Sequence, residues 1–247
     1  MSFGLPHRHY WRTDSTNIRA RELAVAGAPH GTVITAGEQS EGRGRQGRTW
    51  TAPAGGALLY SVVLRHLDER HLLLPLAVPL AVCDAAEDLR AGVECGVKWP
   101  NDVQIEGRKL AGVLIEARPQ DGWAVVGVGL NLTIAAAEFP PELRETATSL
   151  FAVQPRARRA VTYARYAGIS HSAKETLDRR LAQWTTAEAA EVLAAWRRRD
   201  ALRGKAVSWN GGSGVAAGID DRGYLVVVTA AGERVAIGAG EVHLAVA

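Results

Sequence analysis

The chain alternates between short apolar runs and clusters of glycine, proline and small polar residues. Gly31–Glu38, Ala57–Arg65, Val103–Glu106, Lys109–Ala117 and Trp123–Leu132 carry the β-branched and aliphatic content of strands. Gly107-Arg108 and the polar turn Gln120–Gly122 predict tight connections between the last three. In the final run, Gly127 and Gly129 alternate with Val126, Val128 and Leu130. Two glycines at period two leave one face of a strand bare. That face admits either a closely packed helix or a flat ligand, and spacing does not choose between them. Helical patterns follow other signals. Asp14-Ser15-Thr16-Asn17 precedes IRARELAVAG, a polar start ended by Gly27. Leu72–Leu89 reads as a helix whose regular part begins near Pro75 or Pro79. Ala135–Gln154 is irregular, and Arg158–Arg180 and Thr186–Arg199 are helical. From Ala201 the pattern becomes five short β-type runs, Ala206–Trp209, Val215–Asp220, Tyr224–Thr229, Arg234–Ile237 and Glu241–Val246, as in a small barrel. A boundary near residue 200 therefore separates residues 1–200 from 201–247.

Composition narrows the classes. The 247 residues are 47% hydrophobic and 22% charged, ordinary for a globular chain. A formal net charge of +3 is compatible with anionic ligands but does not imply nucleic-acid binding. Two cysteines, Cys83 and Cys95, are too few for a disulfide framework or a tetrahedral zinc site, and read as core thiols of a reduced compartment. The greasiest stretch, Leu72–Val82, is 11 residues with two prolines, too short to span a bilayer. No signal-peptide pattern opens the chain. We expect a soluble, cytoplasmic protein with no membrane partner.

The chemistry concentrates in Gln39–Trp50, QSEGRGRQGRTW, where Gly42, Gly44 and Gly47 alternate with Arg43, Arg45 and Arg48. Glycine permits close backbone approach, and the guanidinium fork matches phosphate and carboxylate oxygens. We read a mobile loop that closes over a phosphate-bearing ligand. A dinucleotide fingerprint would require a helix to start at these glycines, but Pro53 and Gly55-Gly56 follow. An RG-type RNA segment is the other reading, and only one short copy is present. Ser15 and Asp14 read first as helix caps; the N–H groups of that helix start could also hold a polar ligand. Arg197-Arg198-Arg199 reads as a solvated helix end rather than a nucleic-acid patch. Arg43, Arg45, Arg48, Lys98, Asn101, Asp102 and Lys109 sit at predicted strand ends, a mixture suited to a nucleoside triphosphate. There is no GxxxxGK[ST] motif, nor any spacing of a Ser/His/Asp or Cys/His nucleophile.

GRGRQGRTW, KWPNDV, KLAGVLIE and VVGVGLNL occur in this order and resemble the motifs of biotin–protein ligases. Ser15-Thr16-Asn17 and Ala147–Leu150 resemble the family as well, and the likeness covers most of residues 12–150. The resemblance implies an α+β fold of the class II synthetase type, a mixed β-sheet flanked by helices with a small C-terminal SH3-like barrel. It implies that biotin and MgATP form biotinyl-5′-AMP, and that the biotinyl group passes to a lysine of a biotin carboxyl carrier domain. Carried over by motif, Ser15, Thr16, Asn17 and Gln39 would bind the biotin head group. Gly112, Gly127 and Gly129 would form the face beneath it. Arg43, Gly44 and Arg45 would close over the carboxylate and phosphate. Arg45, Arg48, Trp50, Asn101, Lys109 and Asn131 would contact ATP, with Trp50 covering the adenine. Lys109 would bridge the biotin carboxylate and the α-phosphate, and Asp102 would hold Mg²⁺ or nucleotide. Fewer than fifteen residues precede Asp14-Ser15, too few for the DNA-binding domain of bifunctional members, so no operator binding is expected. A related lipoate or octanoate transferase, and a nucleic-acid-binding module, are the competing readings.

Overall fold

The computed structural model describes residues 3–152, 163–240 and 242–244. Seven strands form the main sheet: β1 (His7–Thr13), β2 (Val33–Gln39), β3 (Ala57–Arg65), β4 (Gly96–Lys98), β5 (Asp102–Ile105), β6 (Arg108–Arg118) and β7 (Trp123–Asn131). Their order is β1-β2-β3-β7-β6-β5-β4. Strands β1 and β2 run parallel and the other neighbours antiparallel, so the sheet is mixed. The β5–β6 turn places Glu106 and Gly107 at φ 52° and 76°, the left-handed pair that a two-residue hairpin needs.

Period-two alternation gives the sheet two different faces. On one, Val63 and Val125 pack with Ile34 and Trp123 against Ala20 and Ala24 of α1 (Thr16–Val25). On the other, Leu58, Tyr60, Val62, Val126 and Val128 meet α2 (Leu74–Leu89), with Leu177 and Leu181 of α3 (Tyr163–Trp184) in the same cluster. Pro75 lies in the first turn of α2, where its missing N–H costs nothing, and Pro79 lies inside the helix. Cys83 and Cys95 are buried free thiols; burial pushes the Cys83 thiol well above its ordinary value.

A second, five-stranded antiparallel sheet has the order β11-β10-β9-β8-β12. It comprises β8 (Ala206–Trp209), β9 (Gly212–Ile219), β10 (Leu225–Val228), β11 (Arg234–Ile237) and β12 (Val242–Leu244). The expected helix start at Arg158, the end of the irregular stretch at 153–154, and residues 241 and 245–246 of the last run lie outside the described residues.

Two strands escape the sequence pattern. β1 (HRHYWRT) is an exposed edge strand, so no buried alternation marks it. β4 has three residues. The arginine run after α4 (Ala189–Arg198) also departs from expectation. Arg199 is not solvated: its side chain is 24% exposed and pairs with Asp84 at 2.7 Å and Glu87 at 2.5 Å. Among the described residues, no helix is long and apolar enough to cross a membrane.

Candidate functional site

One cavity opens on the α1 face of the main sheet. Its walls come from the start of α1, the Gln39–Trp50 loop, the β4–β5 turn, β6, β7 and β12. The floor is where the glycines lie. Gly112 of β6 is registered against Gly129 of β7. The indole of Trp50 lies on this pair: a Cβ added at residue 129 would meet Trp50 Cε2 at 2.4 Å, and one at 112 would meet Cζ3 at 3.1 Å. A Cβ at residue 127 would meet Asn17 Oδ1 at 2.0 Å. The packed-helix reading of the bare face is thus realised over Gly127, by the start of α1, while over Gly129 the protein's own Trp50 ring covers the face. Trp50 Nε1 is buried without a hydrogen-bond partner among the described residues.

At the α1 end the lining is neutral and rich in donors and acceptors. Ser15 is the N-cap by position, yet its side chain makes no capping bond. Gln39 satisfies the first helical N–H instead: its Oε1 accepts from the Thr16 N–H at 2.7 Å and from Thr16 Oγ1 at 3.0 Å. Ser61 Oγ lies 2.8 Å from Thr16 Oγ1 and 2.6 Å from Asn17 Oδ1 and can donate its proton to one of them at a time. Asp14 braces the entry to α1, accepting from the Ser15 N–H at 2.6 Å and pairing with Arg19. The Arg19 guanidinium, hydrogen-bonded to it, holds the Asp14 carboxyl down at about 2.

The other end is cationic. Lys109 Nζ sits 2.7 Å from Asp102 Oδ1 and 5.7 Å from the centre of the Trp50 ring. Asn101 donates through Nδ2 to the Val113 carbonyl at 2.7 Å, and its Oδ1 accepts from Arg45 at 3.3 Å. Arg45 also donates to the Gly240 carbonyl at 3.4 Å, joining the loop to the second sheet. Within the loop, Arg43 and Thr49 form an isolated antiparallel bridge, Arg45–Gly47 is a single 3₁₀ turn, and Gln46 takes φ 53°. Arg43 reaches Glu116 of β6 at 3.0 Å.

The structure therefore gathers Ser15, Thr16, Asn17, Gln39, Arg43, Gly44, Arg45, Arg48, Trp50, Asn101, Asp102, Lys109, Gly112, Gly127 and Gly129 around one cavity. Asn131, expected at the nucleotide, is not on the lining; its Nδ2 instead donates to the Thr148 carbonyl at 3.0 Å. Three residues near the site were not singled out from sequence. Ser61, a lone polar residue in an apolar strand, and Glu116, at even spacing from Gly112, both carried a readable signal. His243, on the lining from β12, carried none. Among the described residues no three His, Cys, Asp or Glu side chains cluster as a metal site. One carboxylate, Asp102, does face the cavity. That fits a Mg²⁺ ion held mainly by phosphate oxygens and water.

Residues 10–132 match the model of the biotin/lipoate A/B protein ligase family, and residues 211–244 match the biotin protein ligase C-terminal domain. The biotin–[acetyl-CoA-carboxylase] ligase of Mycobacterium tuberculosis is 37% identical, over 94% of this chain and 87% of that one. The enzyme of the same name from Paracoccus denitrificans is 34% identical, over 91% and 95%. Among solved structures, the biotin protein ligase of Aquifex aeolicus in complex with biotin and ATP matches with a TM-score of 0.76 at 25% identity, over 97% of this chain and 99% of that one. The ordered motifs, the two sheets and these likenesses agree, and the chain belongs to the biotin–protein ligase family.

Proposed function

We propose that this ligase joins biotin to ATP and then passes the biotinyl group to one lysine of a biotin carboxyl carrier domain, that of an acetyl-CoA carboxylase as in the names of its relatives. The observation that carries this reading is a single cavity with two unlike ends: neutral hydrogen-bonding groups around Ser15, Thr16 and Gln39, and cations around Lys109 and Arg45. A ureido ring suits the first and a carboxylate meeting a triphosphate suits the second.

In the first step a biotin carboxylate oxygen attacks the α-phosphorus of MgATP, and the bond to pyrophosphate breaks. Two anions must approach, so positive charge fixed between them lowers the barrier. Lys109, supported by Asp102, takes that position, with Arg43, Gly44 and Arg45 above it. Arg48 and Asn101 contact the nucleotide. Trp50, lying on Gly112 and Gly129, forms a wall against which flat groups stack. Mg²⁺ arrives with ATP, and Asp102 is the carboxylate that would touch it. In the second step the neutral amine of the carrier lysine attacks the acyl carbon, AMP leaves with the bonding pair, and the amine loses a proton. The closed loop keeps water from the mixed anhydride between steps. We take residues 1–200 as the catalytic unit and 201–247 as a second unit that contributes to its wall.

The test is mass spectrometry after mixing the protein with biotin and MgATP, then with a carrier domain. Biotinyl-5′-AMP, followed by a biotinylated carrier lysine, is the expected result. Modification of a lipoyl domain alone, with no biotinyl adenylate, overturns the reading in favour of a lipoate-type transferase.

A further inference from the structure

Glu116 lies just beyond the neutral end of the cavity, off its lining, and belongs to neither set of residues assigned above. It follows Gly112 and Leu114 at period two on β6, so it shares their face of the sheet. Its Oε2 accepts from Asn17 Nδ2 at 3.0 Å, and its Oε1 lies 3.0 Å from Arg43 Nη1. Asn17 is held from three sides. Its Nδ2 is also 3.4 Å from the Leu114 carbonyl, Ser61 Oγ lies 2.6 Å from its Oδ1, and the bare Cα of Gly127 lies beneath it. The Glu116 side chain is 23% exposed and that of Arg43 41%. One carboxylate thus ties a fixed wall, built on α1 and β6, to an arginine of an exposed, glycine-rich loop. Such a bond is strong enough to hold a loop and weak enough to release it.

We propose that Glu116 is a positioning residue that clips the arginine–glycine loop over the cavity and so sets how long the activated ligand is retained between the two half-reactions. The proposal rests on the ligase reading above. Biotinyl adenylate has to wait for its carrier, and each opening of the loop exposes it to escape and to water. The clip acts on the Arg43 end of the loop. Arg45 is held separately, by Asn101 and Gly240.

The experiment loads the full-length protein with radiolabelled biotin and MgATP, without carrier, and follows release of labelled adenylate after rapid gel filtration. Glu116→Ala is expected to release it about tenfold faster, since a charge-assisted hydrogen bond is lost. Glu116→Gln keeps an acceptor oxygen but no charge, and falls between Glu116→Ala and the parent. Arg43→Ala combined with Glu116→Ala releases no faster than Arg43→Ala alone, because either change opens the same clip. Circular dichroism checks folding; if Glu116→Ala does not fold, the release rate of Glu116→Gln decides. Unchanged release in the folded Glu116 variants, or fully additive effects in the double variant, overturns the clip. A parent protein that retains no label at time zero instead overturns the ligase reading, and the clip with it.

Discussion

The pairing of Lys109 Nζ with Asp102 Oδ1 at 2.7 Å fixes where positive charge sits before any ligand arrives. Replacing Lys109 by alanine should slow adenylate formation by roughly a hundredfold to a thousandfold, about 3–4 kcal/mol of barrier, the scale found for one preorganised donor. Pyrophosphate release under saturating biotin and ATP measures it. Glycine makes a different prediction. A Cβ at residue 129 would come within 2.4 Å of the Trp50 ring. Gly129→Ala should therefore cost about 1–3 kcal/mol of stability by overpacking, and should raise the KM for biotin. Adding Trp50→Ala should restore the melting temperature but not the KM. The glycines were legible in the sequence because period two is a local signal. The bond from Glu116 to Arg43 was not, because the partners are 73 residues apart and only the fold brings them together.

Among elements, α2 carries a charge cluster where it meets α3 and the end of α4. Arg199 reaches Asp84, Glu87 and the Cys95 carbonyl, and Arg180 reaches Asp88. Removing the Arg199 side chain leaves partly buried carboxylates unpaired, and Arg199→Ala should cost about 2–3 kcal/mol in urea titration. The same cluster sets a pH dependence. Burial works to raise the Glu87 carboxyl, but hydrogen bonds from Arg199 and the Cys95 N–H outweigh it and hold the group below its ordinary 4.5. Arg180, hydrogen-bonded to Asp88, likewise holds that carboxyl below 3.8. A carboxyl lowered in the folded state adds stability above its unfolded value, and that stability is lost as pH falls through the folded one. The melting temperature should drop on acidification below about pH 4.5, and less steeply in Arg199→Ala than in the parent. Sequence pattern identified α1, α2, β2, β3 and the β5–β6 hairpin, whose caps, prolines and turns are local. It missed β1, an edge strand that buries little, and it read Arg199 as solvated because nothing near it in sequence reveals the acids of α2.

On the scale of the molecule, the two sheets share one hydrophobic cluster. Val207, Ala216, Leu225, Val227, Ile237 and Val242 pack in the same core as Leu76, Val97 and Trp99. Trp99 Nε1 donates to the Gly223 carbonyl at 3.1 Å, and Arg197 pairs with Asp221 at 2.6 Å. Residues 201–247 read from sequence as a separable unit, since their strand pattern changes abruptly there. Their core is not separable in the same way. A chain ending at residue 200 should lack a cooperative thermal transition, which differential scanning calorimetry would reveal, and should form no adenylate. Two independent transitions in the full chain would contradict this.

The orientation of one amide has a consequence for which acids the enzyme accepts. Because the Gln39 oxygen already takes two hydrogen bonds from Thr16, its NH₂ group can offer only protons to an incoming molecule. A cyclic urea brings a carbonyl to meet them. A dithiolane ring of similar girth brings only sulfur and hydrocarbon and would strand those protons without a mate, so the polarity of this one side chain is expected to disfavour the sulfur-ring acid, and Gln39→Leu to narrow the preference in a competition assay.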